Sequence, residues 1–263
     1  MATLISVHLT FFFDRADFMY MAPPFIAYYG AATNNLSTLG IAVEQSGLYR
    51  QILQTNDSYN NVGAWEHIIN QVNGTGATDT GIWSTGNGWA AAGMVHILAT
   101  VIKAPIACDN PDWQSDAIEQ LSEYIREILD AAIYSVPDDN EPGLLRNYWN
   151  LDDTGHIYGE TSGTSLLASV AYRMAVMLRN LGSWEFRKYV RWADSVRFTL
   201  GGSDINGTHV TSNGTVTPSV NPLNWYDTVP YTAGSPEGQN FVVLMYAAWR
   251  DCVLAGVCGY DQY

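Results

Sequence analysis

The chain has 263 residues, enough for one large domain with a sizeable core, and 47% of them are apolar, with 9 Trp and 16 Tyr, which argues against a disordered chain. Only 12 Lys and Arg stand against 26 Asp and Glu, a formal net charge of −14 that repels nucleic acid and anionic lipid alike. No apolar run reaches the roughly 20 residues needed to cross a bilayer.

Residues 1–13 are largely apolar but lack the basic start and small-x-small cleavage site of a signal peptide, and they run into Asp14. The polar step Asp14-Arg15-Ala16-Asp17 opens a helix over 18–29, which Pro23-Pro24 is expected to kink or interrupt. A second polar entrance, 84–88, leads into 89–104, apolar nearly all round and therefore predicted to be a buried helix. Asn110 and Pro111 cap and start the clearest helix, Pro111–Tyr134. Ile118, Leu121, Ile125, Ile128, Leu129 and Ala132 form one apolar stripe on it, while Glu119, Glu123, Arg126 and Glu127 face away, so it is predicted to be an outer helix. Two more buried helices are predicted at 165–178 and 241–249, each behind a polar, glycine-containing entrance, 160–164 and 235–239. Residues 201–234 are rich in Gly, Ser, Thr, Asn and Pro, and a long loop of this kind is often functional.

Buried helices alternating with amphipathic ones describe an all-α toroid, with the polar entrances gathered at one mouth. No strand-rich block and no domain linker stands out, so residues 1–263 are read as one domain. Of the three cysteines, Cys252 and Cys258 are spaced either to pair across a short loop or to remain buried thiols, and Cys108 is left over. No Cys/His cluster suggests a metal. Sequons at Asn35, Asn56, Asn73, Asn206 and Asn213 exceed chance and point to a secreted glycoprotein. A secretory protein without a leader implies a start that is truncated or misassigned.

The string ADFMYMAPPF at 16–25 resembles the D-x-x-M-x-x-P-x-L/F signature of the unsaturated glucuronyl and rhamnogalacturonyl hydrolases of glycoside hydrolase families 88 and 105. Trp65-Glu66-His67 and then WSTGNGW at 83–89 follow in the families' order and rough spacing. The entrances 160–165 and 235–239 fit fungal members, and the resemblance runs from about Arg15 to the C-terminus. It implies an (α/α)6 six-hairpin barrel. The reaction it implies is hydration of the C4=C5 double bond of a terminal unsaturated uronic sugar, with no cofactor or metal and with an oligosaccharide rather than nucleic acid or membrane as partner.

By the same resemblance, Asp17 matches the general acid/base, His67 a substrate-contacting histidine and Trp89 a sugar-stacking ring, with Thr85 and Asn87 in the substrate-binding motif. Two departures matter. Thr85 stands where the families carry an arginine, the natural reader of a carboxylate. A further aspartate well upstream of the Asp17 position has no counterpart. The barrel is therefore expected to be incomplete, with its N-terminal helices missing and inner apolar surface exposed, and turnover is expected to be weak or absent. Two alternatives follow from these departures: a non-catalytic carbohydrate-binding remnant, or a six-hairpin enzyme with neutral-sugar specificity.

Each candidate also has a plain structural reading. Asp17 suits a helix N-cap, His67 a helix edge, and Trp89 the core. His96 reads as a structural histidine, and Gly86 and Gly88 as turn formers. Glu237 and Gln239 read as capping-turn residues, and Asp152, Asp153 and His156 as a solvated loop.

Overall fold

The computed structural model describes residues 13–55, 61–70, 78–136, 143–151, 157–181, 186–204, 207–221 and 223–259. Asp152, Asp153 and His156, and the sequons at Asn56, Asn73 and Asn206, lie outside the described residues. The elements run β1 (Phe13–Arg15), α1 (Phe18–Met21), α2 (Pro23–Ala32), α3 (Leu36–Leu53), β2 (Ile68–Asn70), α4 (Ser84–Lys103), α5 (Pro105–Cys108) and α6 (Pro111–Tyr134). They continue with α7 (Thr161–Met177), α8 (Arg187–Gly201), β3 (Ser203–Asp204), β4 (Gly207–Thr208) and α9 (Pro236–Leu254). The strands form two antiparallel pairs, β1 with β2 and β3 with β4.

Four helices form the inner row: α2 packs on α4, α4 on α7, and α7 on α9. Outside them, α3 lies against α2, α6 against α4 and α8 against α7. This alternation is the predicted α/α toroid, and side-chain size explains it. Gly, Ala, Ser and Thr fill much of α4 and α7, so neighbours approach on every side and most of both helices is buried. At Gly93 a Cβ would stand 2.0 Å from the Met19 carbonyl oxygen, so only glycine lets α1 cross α4 there. Helix α6 behaves as an outer helix: Leu121, Ile125, Ile128 and Leu129 are buried while Glu119 and Glu123 are exposed, against 6% and 0% exposure for Val95 and Leu98 of α4.

Several details differ from the sequence reading. The expected helix over 18–29 is two helices, broken at Ala22 because Pro23 starts the second. The polar entrances at 84–88, 160–164 and 235–239 are, as read, the caps and first turns of inner helices. Glu160 accepts hydrogen bonds from the Ser162 and Gly163 amides, and Ser235 accepts one from Gly238. Asn110 makes no side-chain cap bond; its Nδ2 donates to the Ile106 carbonyl at 2.8 Å. Cys252 and Cys258 form a disulfide and Cys108 is a free, exposed thiol. Large apolar side chains are exposed on the two end helices of the inner row, Phe25 and Tyr28 on α2 and Val243 on α9. Among the described residues no helix is long and apolar enough to cross a membrane.

Candidate active site

The short β1–β2 pairing creates the site. It sets Arg15 opposite Ile68, and the Ala16 amide donates to the His67 carbonyl at 3.0 Å, so the start of α1 lies against His67. Asp17 occupies the N-cap position of α1 yet makes no side-chain cap bond. Its Oδ1 instead lies 3.2 Å from His67 Nε2, and its Oδ2 lies 3.2 Å from Arg15 Nη2. The His67 contact has ion-pair distance but not hydrogen-bond alignment, which leaves Asp17 Oδ1 and His67 Nε2 buried with no hydrogen-bond partner among the described residues.

Behind His67, which is fully buried, Nδ1 donates to Asp79 Oδ2 at 2.8 Å. Asp79 is delivered by a two-way backbone bridge with Ile68, at 2.8 and 2.9 Å. Its carboxylate also accepts from the Tyr148 hydroxyl at 2.5 Å and the Gly81 amide at 3.0 Å. At Gly81 a Cβ would come within 2.4 Å of the Tyr148 ring, so glycine is what lets Tyr148 reach Asp79.

Charge follows this geometry. Burial alone would raise the pKa of Asp17, but contact with His67 and the charge of Arg15 outweigh it and hold the carboxyl below its usual range. Burial would likewise lower the pKa of His67, yet the two flanking carboxylates overcome that and raise it. Asp79 is held low in spite of its burial by His67 and by the hydroxyl of Tyr148. Glu237, at the start of α9, is raised by burial and by the charge of Asp17. The stable state is thus an imidazolium clamped between two carboxylates. The cost of burying three charges is offset by their mutual pairing.

Aromatic rings wall this centre. The His67 ring lies 4.5 Å from Trp83 and meets Trp225 edge-on at 5.4 Å, and the Arg15 guanidinium lies 5.0 Å over Trp225. Trp83 Nε1 donates to Asn147 Oδ1 at 3.0 Å, and Tyr226 meets Tyr148 edge-on at 6.0 Å. Trp225 and Tyr226 come from the long polar loop singled out in the sequence.

The structure brings Asp17 and His67 together. Trp89 is half-buried one step away, with its ring 4.5 Å from Tyr20 of α1 and 4.8 Å from Phe241 of α9. Thr85 and Asn87 are placed differently from the motif reading, because they are turned inward at the entrance of α4. Thr85 is fully buried, with its hydroxyl donating to Glu160 Oε1 at 3.5 Å. Asn87 is fully buried and accepts from the Trp65 amide at 2.8 Å, while its Nδ2 donates to the Trp65 and Trp83 carbonyls at 2.9 and 3.0 Å. With its amide committed to backbone, Asn87 acts as a brace that ties the His67 segment to α4.

Gln239 is likewise committed, accepting from the Val216 amide at 3.1 Å. His96 does not sit in the core; it opens onto a cavity of about 910 Å³ between α2, α4, α7 and α9, which Tyr20 also lines but Asp17, His67 and Trp89 do not. The sequence reading missed Arg15, Asp79, Tyr148 and Trp225 as parts of the centre. The Trp-Tyr pair inside a polar loop was a usable signal for Trp225. Asp79 and Tyr148 carried none, since only tertiary pairing brings them to His67.

The sequence profile of Glycosyl Hydrolase Family 88 matches residues 15–250, which takes in every member of this centre. The chain belongs to glycosyl hydrolase family 88. Solved structures share the family's six-hairpin α/α fold. One is a family 105 glycoside hydrolase of C. acetobutylicum ATCC 824, 13% identical with a TM-score of 0.66, the match covering 91% of this chain and 66% of that one. A possible family 105 member from Klebsiella pneumoniae is 16% identical with a TM-score of 0.67, covering 90% and 56%. An unsaturated glucuronyl hydrolase of Bacillus sp. GL1, responsible for the degradation of glycosaminoglycan, is 15% identical with a TM-score of 0.61, covering 94% and 60%. The chain therefore spans less than two thirds of the length of these relatives, and at such identities the likeness shows the fold alone. No curated protein matches the sequence.

Proposed function

We propose that this family 88 protein hydrolyses oligosaccharides ending in an unsaturated uronic acid, by hydration of the terminal ring. The observation that carries the reading is the Asp17–His67–Asp79 chain at the mouth, with Asp17 Oδ1 and His67 Nε2 facing each other at 3.2 Å. Hydration of a vinyl ether needs a group that gives a proton to carbon and another that takes one from water. The pair carries one proton, resting on the imidazolium beside the ionised Asp17. It delivers that proton to C4, leaving positive charge spread over C5 and the ring oxygen. Water adds at C5 and returns a proton to the pair. The C5 hemiketal then opens to a ketone, the ring oxygen stays on C1 as a hydroxyl and makes it a hemiacetal, and that hemiacetal collapses to an aldehyde as the next sugar leaves as an alcohol. One water is consumed and the pair is restored.

Asp79 and Tyr148 keep His67 in one orientation through this cycle, and Trp225 and Trp83 supply the apolar surface that a sugar face packs against. The neutral-sugar alternative is supported by Thr85, which faces Glu160 instead of the mouth and reads no carboxylate. We also propose an extracytoplasmic setting, supported by the Cys252–Cys258 disulfide and by exposed sequon residues Asn35 and Asn213. The function is tested with a lyase digest containing unsaturated uronyl disaccharides, beside the matching saturated and neutral disaccharides. Loss of the double-bond absorbance is expected with the first alone. Cleavage of the neutral disaccharides with the unsaturated ones untouched would overturn the reading.

A further inference from the structure

We infer that Arg15 is the residue that reads the substrate's carboxylate and so sets specificity for acidic sugars. This rests on the hydration reading above and deepens it. The ring to be hydrated carries its carboxylate on C5, the neighbour of the protonated C4, so the carboxylate lies two bonds from the carbon that receives the proton. Its reader must stand beside the proton donor. Arg15 does so, with Nη2 3.2 Å from Asp17 Oδ2.

Two features fit Arg15 to this task. Its guanidinium lies 5.0 Å over the Trp225 ring, which fixes its plane, as a fork aimed at a carboxylate requires. The side chain is 36% exposed, so a ligand can reach its outer edge.

The surroundings also call for a cation. Asp17, Asp79 and Glu237 gather here in a chain of net charge −14, and an approaching uronate is repelled unless positive groups face it. His67 is already clamped between Asp17 and Asp79. Arg15 is also paired with Asp17 but, unlike the buried His67, keeps an exposed edge, and its register is fixed by the β1–β2 pairing. Thr85, buried against Glu160, leaves this task open. The weak turnover expected from the sequence rested in part on Thr85 standing for the families' arginine, and Arg15 answers that part.

The test uses the full chain, an unsaturated uronyl disaccharide and its methyl ester, with binding followed by tryptophan fluorescence and turnover by loss of absorbance. The wild type is expected to bind the acid at least ~10-fold more tightly than the ester. In Arg15→Gln the acid weakens by ~10- to 100-fold, the ester by less than ~3-fold, and the preference disappears. Arg15→Lys, which keeps the charge and loses the fork, retains part of the preference and guards against misfolding of the first variant, with far-UV circular dichroism checked on both. Equal weakening of acid and ester, no weakening of either, or a wild type without preference overturns the inference. An Arg15-dependent preference without turnover leaves the inference standing and sinks the hydrolase reading. Turnover without Arg15 dependence does the reverse.

Discussion

Two histidines on neighbouring elements sit in opposite electrostatic worlds. His67, at the mouth, is fully buried between Asp17 and Asp79, and their charges overcome burial to favour the imidazolium. His96, on α4, is exposed and opens onto the cavity between α2, α4, α7 and α9, where desolvation together with the charge of Arg173 favours the neutral ring. Arg173 itself is taken by Asp251 at 2.9 Å. Placement of carboxylates, and not depth, decides which histidine is charged. The molecule thus carries an ion-paired centre beside the β1–β2 pair and a largely apolar cavity among the inner helices.

The comparison breaks most visibly by substitution at its two centres. His67→Gln is expected to lower turnover of the unsaturated disaccharide by ~10²- to 10⁴-fold, as loss of a proton-handling group does. Equal activity in His67→Gln and wild type would remove the mouth from the chemistry.

The next largest effect concerns Glu160, whose fully buried carboxyl is pushed up to about 7 by burial, against the opposing hydrogen bonds from Gly163 and Ser162. A raised carboxyl pKa makes folding less favourable as pH climbs from the ordinary carboxylate value through the folded one. Glu160→Gln removes that charge while keeping an acceptor for the α7 amides. Its stability relative to wild type should therefore rise by on the order of 3 kcal/mol between pH 4 and pH 8, measured by urea unfolding at each pH. Parallel curves would mean that the carboxyl stays ionised at no cost.

Around His67 the sign has two sides. Its raised pKa contributes stability that is complete below the ordinary histidine value and fades as pH rises through the folded one. The depressed Asp17 and Asp79 contribute above the ordinary carboxylate value and fade as pH falls through theirs. The ion-paired state is therefore fullest between about pH 4 and 6.5. Asp79→Asn removes one of the charges that hold the proton on His67. The alkaline limb of the pH–rate profile should move to lower pH, with turnover falling ~10-fold. A limb that stays in place would show that Asp79 does not govern His67. The smallest effect belongs to His96→Gln, which should leave turnover within ~2-fold and stability within ~0.5 kcal/mol.

The two regions also differ in how far they could be read from sequence. The inner and outer helices were legible because side-chain size and apolar spacing are local properties. All-round apolarity marked α4, α7 and the later turns of α9, and a one-sided stripe marked α6. Asp17 and His67 were legible only through motif resemblance, and their direct contact was not. It arises from a three-residue strand pairing with little periodic signal. Thr85 and Asn87 show the limit from the other side: a motif gives position along the chain, but the turn at the start of α4 decides direction, and it points both inward. Arg15 read as part of a polar entrance, because nothing local reveals that Trp225, more than two hundred positions later, lies beneath its guanidinium.

In the proposed hydration, Asp17 passes the proton to C4. The most direct test of this step is the initial rate of double-bond loss from one unsaturated uronyl disaccharide with wild type and with Asp17→Asn at pH 6, both confirmed folded by circular dichroism. Measurable wild-type turnover and a drop of at least ~10³-fold in the variant are expected. Comparable rates in the two proteins would contradict it.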